Sequence, residues 1–279
     1  MVTPFDNERN VDLEKTTDLI EYLIANGSDG LVVAGTTGES PTLTNEEKLM
    51  LFNHVVNVVD GRVSVIAGTG TNNTHASIEL TKKAEEIGVD AALLVTPYYN
   101  KPSQQGLIQH FTAIANETSL PIMLYNIPGR SIVNMSVDTV VRLSALPNIV
   151  SIKESSGDLD AVSDIIEKTN ANFTVYSGDD SLTLPFQSIG GDGIVSVASH
   201  VIGNEMQQML TAFEKGDVKR AALLHRKLLP VMKGMFIAPS PTPVKTALQL
   251  KGLDVGDVRL PLVSLSVEEK ERLNLILNI

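Results

Sequence analysis

Short aliphatic runs, spaced by amphipathic stretches, are what most restricts the folds open to this chain. The runs are GLVVAG (30–35), SVIAGTG (64–70), AALLVTPYY (91–99), PIMLYNIP (121–128), IVSIKES (149–155), FTVYSGDD (173–180) and GIVSVASH (193–200). Each closes on Gly, Thr, Pro, Asn, Ser or a polar neighbour, as strands buried on both faces do where they meet a turn. One run follows the next after about 20 to 34 residues, the length of a strand plus a helix. Helix starts are marked between them. Thr44 and Glu47 make an S/T-x-x-E capping box, and Asn73, Ser103, Ser136 and Asp158 are further N-caps. Strands that alternate with helices imply a parallel sheet covered by helices. Seven runs, with the opening MVTPF as the tail of an eighth strand, predict an α/β fold, a (β/α)8 TIM barrel. An open doubly wound sheet is the competitor. It expects a glycine-rich phosphate turn after its first strand, and GTGTNN (68–73) lacks the third glycine, so the barrel is preferred.

Beyond residue 200 the pattern is helical throughout. Residues 204–216 are expected to form the eighth barrel helix, and 218–236, 240–252 and 266–278 three more. The expected organisation is a barrel over 1–216, carrying the active site, and a C-terminal helical region over 217–279. A net charge of -11 and a pI near 4.9 argue against nucleic acid or an anionic membrane as partner. The absence of cysteine excludes disulfides, thiolate metal sites and thiol catalysis. There is no 18-residue apolar run, and MVTPFDNERN has neither the basic stretch nor the apolar core of a secretory signal, so a cytoplasmic location is expected.

The chemistry centres on IVSIKESSG (149–157), where a lysine follows a buried-strand pattern. Lysine is rarely buried without a partner. Strand alternation places Ile149, Ser151 and Lys153 on one face, with Val150 and Ile152 on the other. At the carboxyl end of a barrel strand that amine would enter the active-site mouth, and Tyr125, near the end of the preceding strand, would share the pocket. A neutral amine can attack a ketone. Lysine's ordinary pKa of about 10.4 must then fall by roughly three units, about 4 kcal/mol, which a dry apolar setting can supply. The resulting imine draws electrons and lets the adjacent carbon act as an enamine nucleophile, while a tyrosine hydroxyl moves protons. The plainer alternatives are a lysine that snorkels to solvent or pairs with Glu154, and a tyrosine that is simply a core aromatic.

Three further stretches carry chemistry. In GTTGES (35–40) the two glycines would let the backbone turn tightly and present N–H groups to a carboxylate or phosphate; an ordinary βα turn is the alternative. In YNIPGRS, Pro128 and Gly129 would aim the Arg130 guanidinium at a carboxylate; a solvated loop arginine is the alternative. GDD (178–180) would suit either a divalent metal or a helix cap by Asp179 or Asp180, and the cap is preferred. The five histidines form no H-x-x-x-H pair, so a histidine metal site is not expected.

Taken together, VTPF (2–5), GTTGES (35–40), VIAGTGTN (65–72), VTPYYNKPSQQG (95–106), LYNIPGR (124–130), IKES (152–155), YSGDD (176–180), GIVSVASH (193–200), PSPTPVK (239–245) and RLPL (259–262) resemble the pyruvate-dependent class I aldolase/lyase family. Within it the chain looks most like the 4-hydroxy-tetrahydrodipicolinate (dihydrodipicolinate) synthases, and the motifs run in family order over the whole length. The resemblance implies a lyase of lysine and diaminopimelate biosynthesis that condenses pyruvate with L-aspartate 4-semialdehyde and needs no metal or organic cofactor. It implies that Lys153 forms the Schiff base and that Tyr125 moves the proton, linked through Thr36 to Tyr99. It implies that Thr37, Gly178 and the backbone of Val195 hold pyruvate, and that Arg130 receives the semialdehyde carboxylate. Tyr99 reaches a neighbouring subunit in this family, which implies a homotetramer built as a dimer of dimers. Relatives acting on sugar acids such as N-acetylneuraminate or 2-keto-3-deoxygluconate share the lysine and tyrosine but generally lack the arginine. They form the alternative reading, beside a catalytically silent relative.

Two departures are visible. Family members carry several more residues ahead of VTPF, so the first strand is expected to be short. Lysine-inhibited members have two histidines after GTTGES and a glutamate in the next helical segment, where this chain has Asn45, Lys48 and Ala76. Feedback inhibition by lysine is therefore expected to be weak or absent.

Overall fold

The computed structural model describes residues 1–277. Positions 278 and 279, the first of which ends the last expected helix and both of which belong to the expected C-terminal region, lie outside the described residues. In chain order the first elements are α1 (Leu13–Ala25), β1 (Gly30–Val33), α2 (Asn45–Val59), β2 (Ser64–Gly68), α3 (Thr74–Ile87), β3 (Ala91–Val95) and α4 (Gln104–Ala115). Then come β4 (Ile122–Asn126), the helical turn α5 (Pro128–Ser131), α6 (Val137–Leu143), β5 (Ile149–Glu154), α7 (Leu159–Lys168), β6 (Thr174–Ser177), α8 (Thr183–Ser188) and β7 (Gly193–Ile194). Four helices end the chain: α9 (Ser199–Glu214), α10 (Val218–Gly234), α11 (Thr242–Leu250) and α12 (Val267–Leu277).

The strands lie in one sheet in chain order, β1 to β7, and β2 through β7 pair in parallel. A doubly wound sheet reverses its strand order at the ligand crevice, and this one does not. The fold class is the TIM barrel with a C-terminal helical part. By compactness the chain divides into two units, Val65–Val195 and a second made of Met1–Ser64 with the residues from Ser196 onward.

In the second of these, the expected eighth strand is not a regular strand. MVTPF is tied by single bonds, among them Met1 N to Val32 O at 2.6 Å, Val2 N to His200 Nε2 at 3.1 Å, and Phe5 N to Val255 O at 3.1 Å. His200 is buried. Its Nδ1 meets Val197 O at 2.8 Å while Nε2 accepts from Val2, which fixes the neutral Nδ1–H tautomer. Burial holds its pKa down to about 3, so the ring stays neutral at physiological pH. Thr44 and Glu47 make the capping box of α2. The buried stripe of that helix is Lys48, Leu51, Phe52, Val55 and Val59; each apolar member contributes about 1.5–3 kcal/mol.

Helix α9 begins at Ser199, five residues ahead of the expected start, with the Ser199 N–H on the Ser196 hydroxyl at 2.8 Å. It kinks at Ile202, beside Gly203, where a Cβ would collide with Asn26 O. The turn at 35–40 also departs from expectation. The left-handed residues are Ala34 just ahead of it (φ 52°) and Glu39 within it (φ 56°), not the two glycines. Gly38 is there for space, since a Cβ would lie 3.2 Å from both Ala34 N and Met1 O.

In the unit Val65–Val195, the N-caps Asn73, Ser103, Ser136 and Asp158 all accept from the backbone three residues on. The last strand is shorter than the run GIVSVASH suggested: β7 stops at Ile194, and Val195 adds only one sheet-like bond, N–H to Ser177 O at 2.9 Å. Two aspartates close neighbouring strands in the same way. Asp90 accepts from Val65 N and donates its own N–H to Val65 O, and Asp192 does the same with Val175.

Candidate active site

Strand β4 is buried along its whole length, and β5 beside it carries an irregularity that decides where Lys153 points. Ile122 pairs with Ile149, but Met123 pairs with Ser151, so Val150 is an extra residue on β5. Such a bulge shifts the alternation by one. Ile149 therefore does not share the face of Ser151 and Lys153, contrary to simple alternation; it joins Ile152 and Glu154 on the other. Val150 itself is 36% exposed. Downstream of the bulge the expected parity holds, because Ser151 and Lys153 lie beside Met123 and Tyr125.

The pairing Tyr125–Lys153 brings the two candidates into contact. The Lys153 amine stands 4.1 Å above the centre of the Tyr125 ring, and Tyr125 is buried. Thr96 fixes Tyr125 from the other side, donating both its N–H (2.8 Å) and its hydroxyl (2.9 Å) to the Tyr125 carbonyl. The alternative of a Lys153–Glu154 pair fails on direction, since consecutive strand residues face opposite ways. Glu154 is buried and accepts from Asn126 Nδ2 at 2.9 Å and from Ser156 N at 2.6 Å. Burial raises its pKa, with those hydrogen bonds opposing the rise.

Gly178 lies directly against the lysine. A Cβ there would overlap Ser155 Oγ and stand 2.9 Å from Lys153 Cε. Ser155 Oγ is itself buried and has no hydrogen-bond partner among the described residues. Sequence reasoning assigned Ser155 no role. It missed Tyr176 too, which pairs with Lys153 on β6 and so shares its face. Two-residue alternation through FTVYSGDD, aligned on the neighbouring strand, would have found it.

The other candidates are more dispersed. Arg130 is exposed on α5, in a segment whose Ile127 carbonyl accepts from both Arg130 N and Ser131 N. Tyr99 is 89% exposed with φ 73°, in a loop held by Asn72 Nδ2 on Tyr98 O and Asn100 Nδ2 on Asn72 O. Val195 follows β7 and is held to β6 by its N–H. Thr36 and Thr37 are half-buried in the turn after β1. There Gly38, Glu39 and Ser40 turn their N–H groups onto the carbonyls of residues 35 and 36. In GDD, Asp179 caps the next turn, accepting from Ser181 N at 2.8 Å. Among the described residues no three His, Cys, Asp or Glu side chains gather as a metal site, and no helix is long and apolar enough to cross a membrane.

Comparison with known proteins bears on the whole chain. The profile described as the Dihydrodipicolinate synthetase family matches residues 1–279. A 4-hydroxy-tetrahydrodipicolinate synthase 1 of Halalkalibacterium halodurans is 66% identical over 278 residues, covering 100% of this chain and 94% of the relative. A 4-hydroxy-tetrahydrodipicolinate synthase of Bacillus subtilis is 64% identical, covering 99% of this chain and 94% of the relative. Among solved structures, a dihydrodipicolinate synthase of Bacillus anthracis aligns with a TM-score of 0.99 at 64% identity, over 100% of this chain and 95% of that one.

Proposed function

This chain belongs to the dihydrodipicolinate synthetase family, and from that premise we propose that it condenses pyruvate with L-aspartate 4-semialdehyde, acting as a pyruvate-dependent lyase in lysine and diaminopimelate biosynthesis. The observation that carries the assignment of roles is the Lys153 amine 4.1 Å above the Tyr125 ring on paired strand residues. Neutral Lys153 attacks the pyruvate ketone and, as water leaves, forms the imine. Loss of a methyl proton then gives the enamine, which attacks the aldehyde carbon. Tyr125 receives and returns the protons, with Thr36 and Tyr99 continuing the relay. Thr36 and Tyr99 enter on the family resemblance.

Gly178 leaves room for the lysine's substrate-bearing end, and Val195 lines the same pocket by its backbone. Thr37 takes the pyruvate carboxylate, in a turn whose internal hydrogen bonds are donated by Gly38, Glu39 and Ser40. Arg130 receives the semialdehyde carboxylate through its two-pronged guanidinium. The exposed, left-handed Tyr99 supports a homotetramer in which that ring is covered by a second copy. A cytoplasmic location goes with this biosynthetic role, and residues 217–279 are read as a helical region appended to a catalytic barrel of 1–216.

The test is reduction by borohydride in the presence of pyruvate, read by intact and peptide mass. The expected product is one pyruvate-dependent addition on Lys153, absent from Lys153→Ala. Folded protein with no addition removes the Schiff-base mechanism. A panel of aldehydes then separates the semialdehyde from sugar-acid substrates.

Lysine feedback gives a second expectation. Lys48 is buried at the start of the α2 stripe, and burial lowers its pKa. A cation at that position opposes an incoming ammonium. Initial rates with saturating L-lysine should stay within about twofold of those without it, since like-charge placement removes the favourable pairing on which binding would depend. Strong inhibition would reject that account.

A further inference from the structure

The residues one step beyond Tyr125 and Lys153 are Asn126 and Glu154, and they too are paired in register. Both are buried, at 1% and 4% exposure. Every polar atom of the Asn126 side chain is engaged. Nδ2 donates to Glu154 Oε2 at 2.9 Å and to Asn134 Oδ1 at 2.7 Å, while Oδ1 accepts from Met135 N at 3.0 Å. The other Glu154 oxygen accepts from Ser156 N at 2.6 Å. One amide thus joins the end of β4, the end of β5 and residues 134–135.

Residues 134–135 close the segment that starts at Ile127 and carries Arg130. Gln104 of α4 holds the same closure from outside, donating to Asn134 O at 2.8 Å and accepting from Ser136 N at 3.0 Å. Between these anchors Arg130 and Ile132 project outward, Ile132 at 68% exposure with φ 66°, while Ser131 and Val133 between and beside them are buried. An arginine on such a projection has its reach set by where the two ends are pinned, and one end is pinned by a buried pair on the catalytic strands.

We propose that Asn126 and Glu154 are a positioning pair: they fix the segment bearing Arg130 and so set how well the second substrate's carboxylate is held. The pair lies on the sheet face opposite Lys153 and acts through the backbone. It rests on the reading of Lys153 as the imine-forming lysine and Arg130 as the carboxylate fork.

Glu154→Gln tests it with almost no change in shape. The new amide places a donor against a donor of Asn126 or loses the Ser156 bond. The KM for the semialdehyde should rise about 10- to 100-fold, with the pyruvate-dependent borohydride addition on Lys153 held within about twofold. Asn134→Ala, on an exposed residue outside the strands, cuts the same connection and should shift the same KM in the same direction. Asn126→Asp combined with Glu154→Gln exchanges donor for acceptor. The carboxylate introduced on β4 accepts from the amide introduced on β5, from Met135 N and from a turned Asn134 amide. That double variant should recover semialdehyde KM to within about threefold of the parent.

A semialdehyde KM unchanged in both single variants would overturn the proposal. So would an equal fall in pyruvate addition, which would make the pair a general support of the strand ends. A parent protein that takes up no pyruvate at Lys153 would instead overturn the underlying reading, and this proposal with it.

Discussion

Gly178→Ala is expected to cut turnover by at least about 100-fold, because the displacement it forces is near the ångström scale to which nucleophile positioning is sensitive. The added methyl would lie 2.9 Å from Lys153 Cε and overlap Ser155 Oγ. Neither contact is tolerated by non-bonded heavy atoms, so both side chains must move. A shift of Lys153 Cε disturbs the placement of its amine, which stands 4.1 Å over the Tyr125 ring. Pyruvate-dependent borohydride addition should fall with turnover, since imine formation itself is affected.

The same variant combined with Ser155→Ala separates lost positioning from lost folding. It removes the hydroxyl and leaves the Ser155 Cβ position at 3.2 Å, while the contact with Lys153 remains. Thermal unfolding should then return toward the parent, because Ser155 Oγ is a buried hydroxyl without a partner among the described residues and its removal costs little. Activity should not return. Recovery of both would show that Gly178 matters only for packing.

Lys245→Met is expected to destabilise the protein by about 3–5 kcal/mol, as the removal of one partner from a buried ion pair does. Lys245 and Glu39 are each 2% exposed, with Nζ 2.8 Å from Oε1. The ammonium also donates to Asp257 O at 2.8 Å and stands 4.1 Å over the Phe5 ring. Without it the Glu39 carboxylate keeps the Arg259 N–H on Oε2 and loses its counter-charge. A chemical-denaturation midpoint measures the loss. Adding Glu39→Gln should recover most of it, because the charge left unpaired is then gone.

The pH dependence has a definite sign. Burial brings Lys245 down from 10.5 to about 8, with the Glu39 charge opposing the fall. Between those values the unfolded chain holds more protons than the folded one. The contribution of this residue to stability therefore rises with pH across that window and is lost as pH falls through about 8. Lys245→Met should lack that rise.

Local chemistry was the most legible part of this chain. The capping box at Thr44 and the four other N-caps stand where their side chains and spacing put them, because a cap is settled within three residues. Lys153 and Tyr125 were legible as strand-end residues of neighbouring runs. The bulge at Val150 was not, because it exists only relative to β4 and leaves no mark in IVSIKES. The Glu39–Lys245 pair joins residues 206 positions apart, and Lys245 in PSPTPVK reads as an ordinary helix lysine. The Asn126–Glu154 pair was hidden for a related reason: its residues sit beside more conspicuous ones and face the other way. Ala34 and Glu39 hold left-handed backbone where the glycines of GTTGES stand nearby, and Gly38 is there for space, which the motif does not reveal.

The extra residue at Val150 has a bearing on how such a chain tolerates change over generations. A strand without slack transmits any gain or loss of a residue along its whole length, turning every later side chain over. Here the slack lies upstream of the nucleophile, on an exposed residue that has no partner in the β4 register. The loop and first residues of β5 can drift in length while Ser151 and Lys153 keep their orientation. In this strand, descent with modification can act freely on the entrance and leave the reactive end alone.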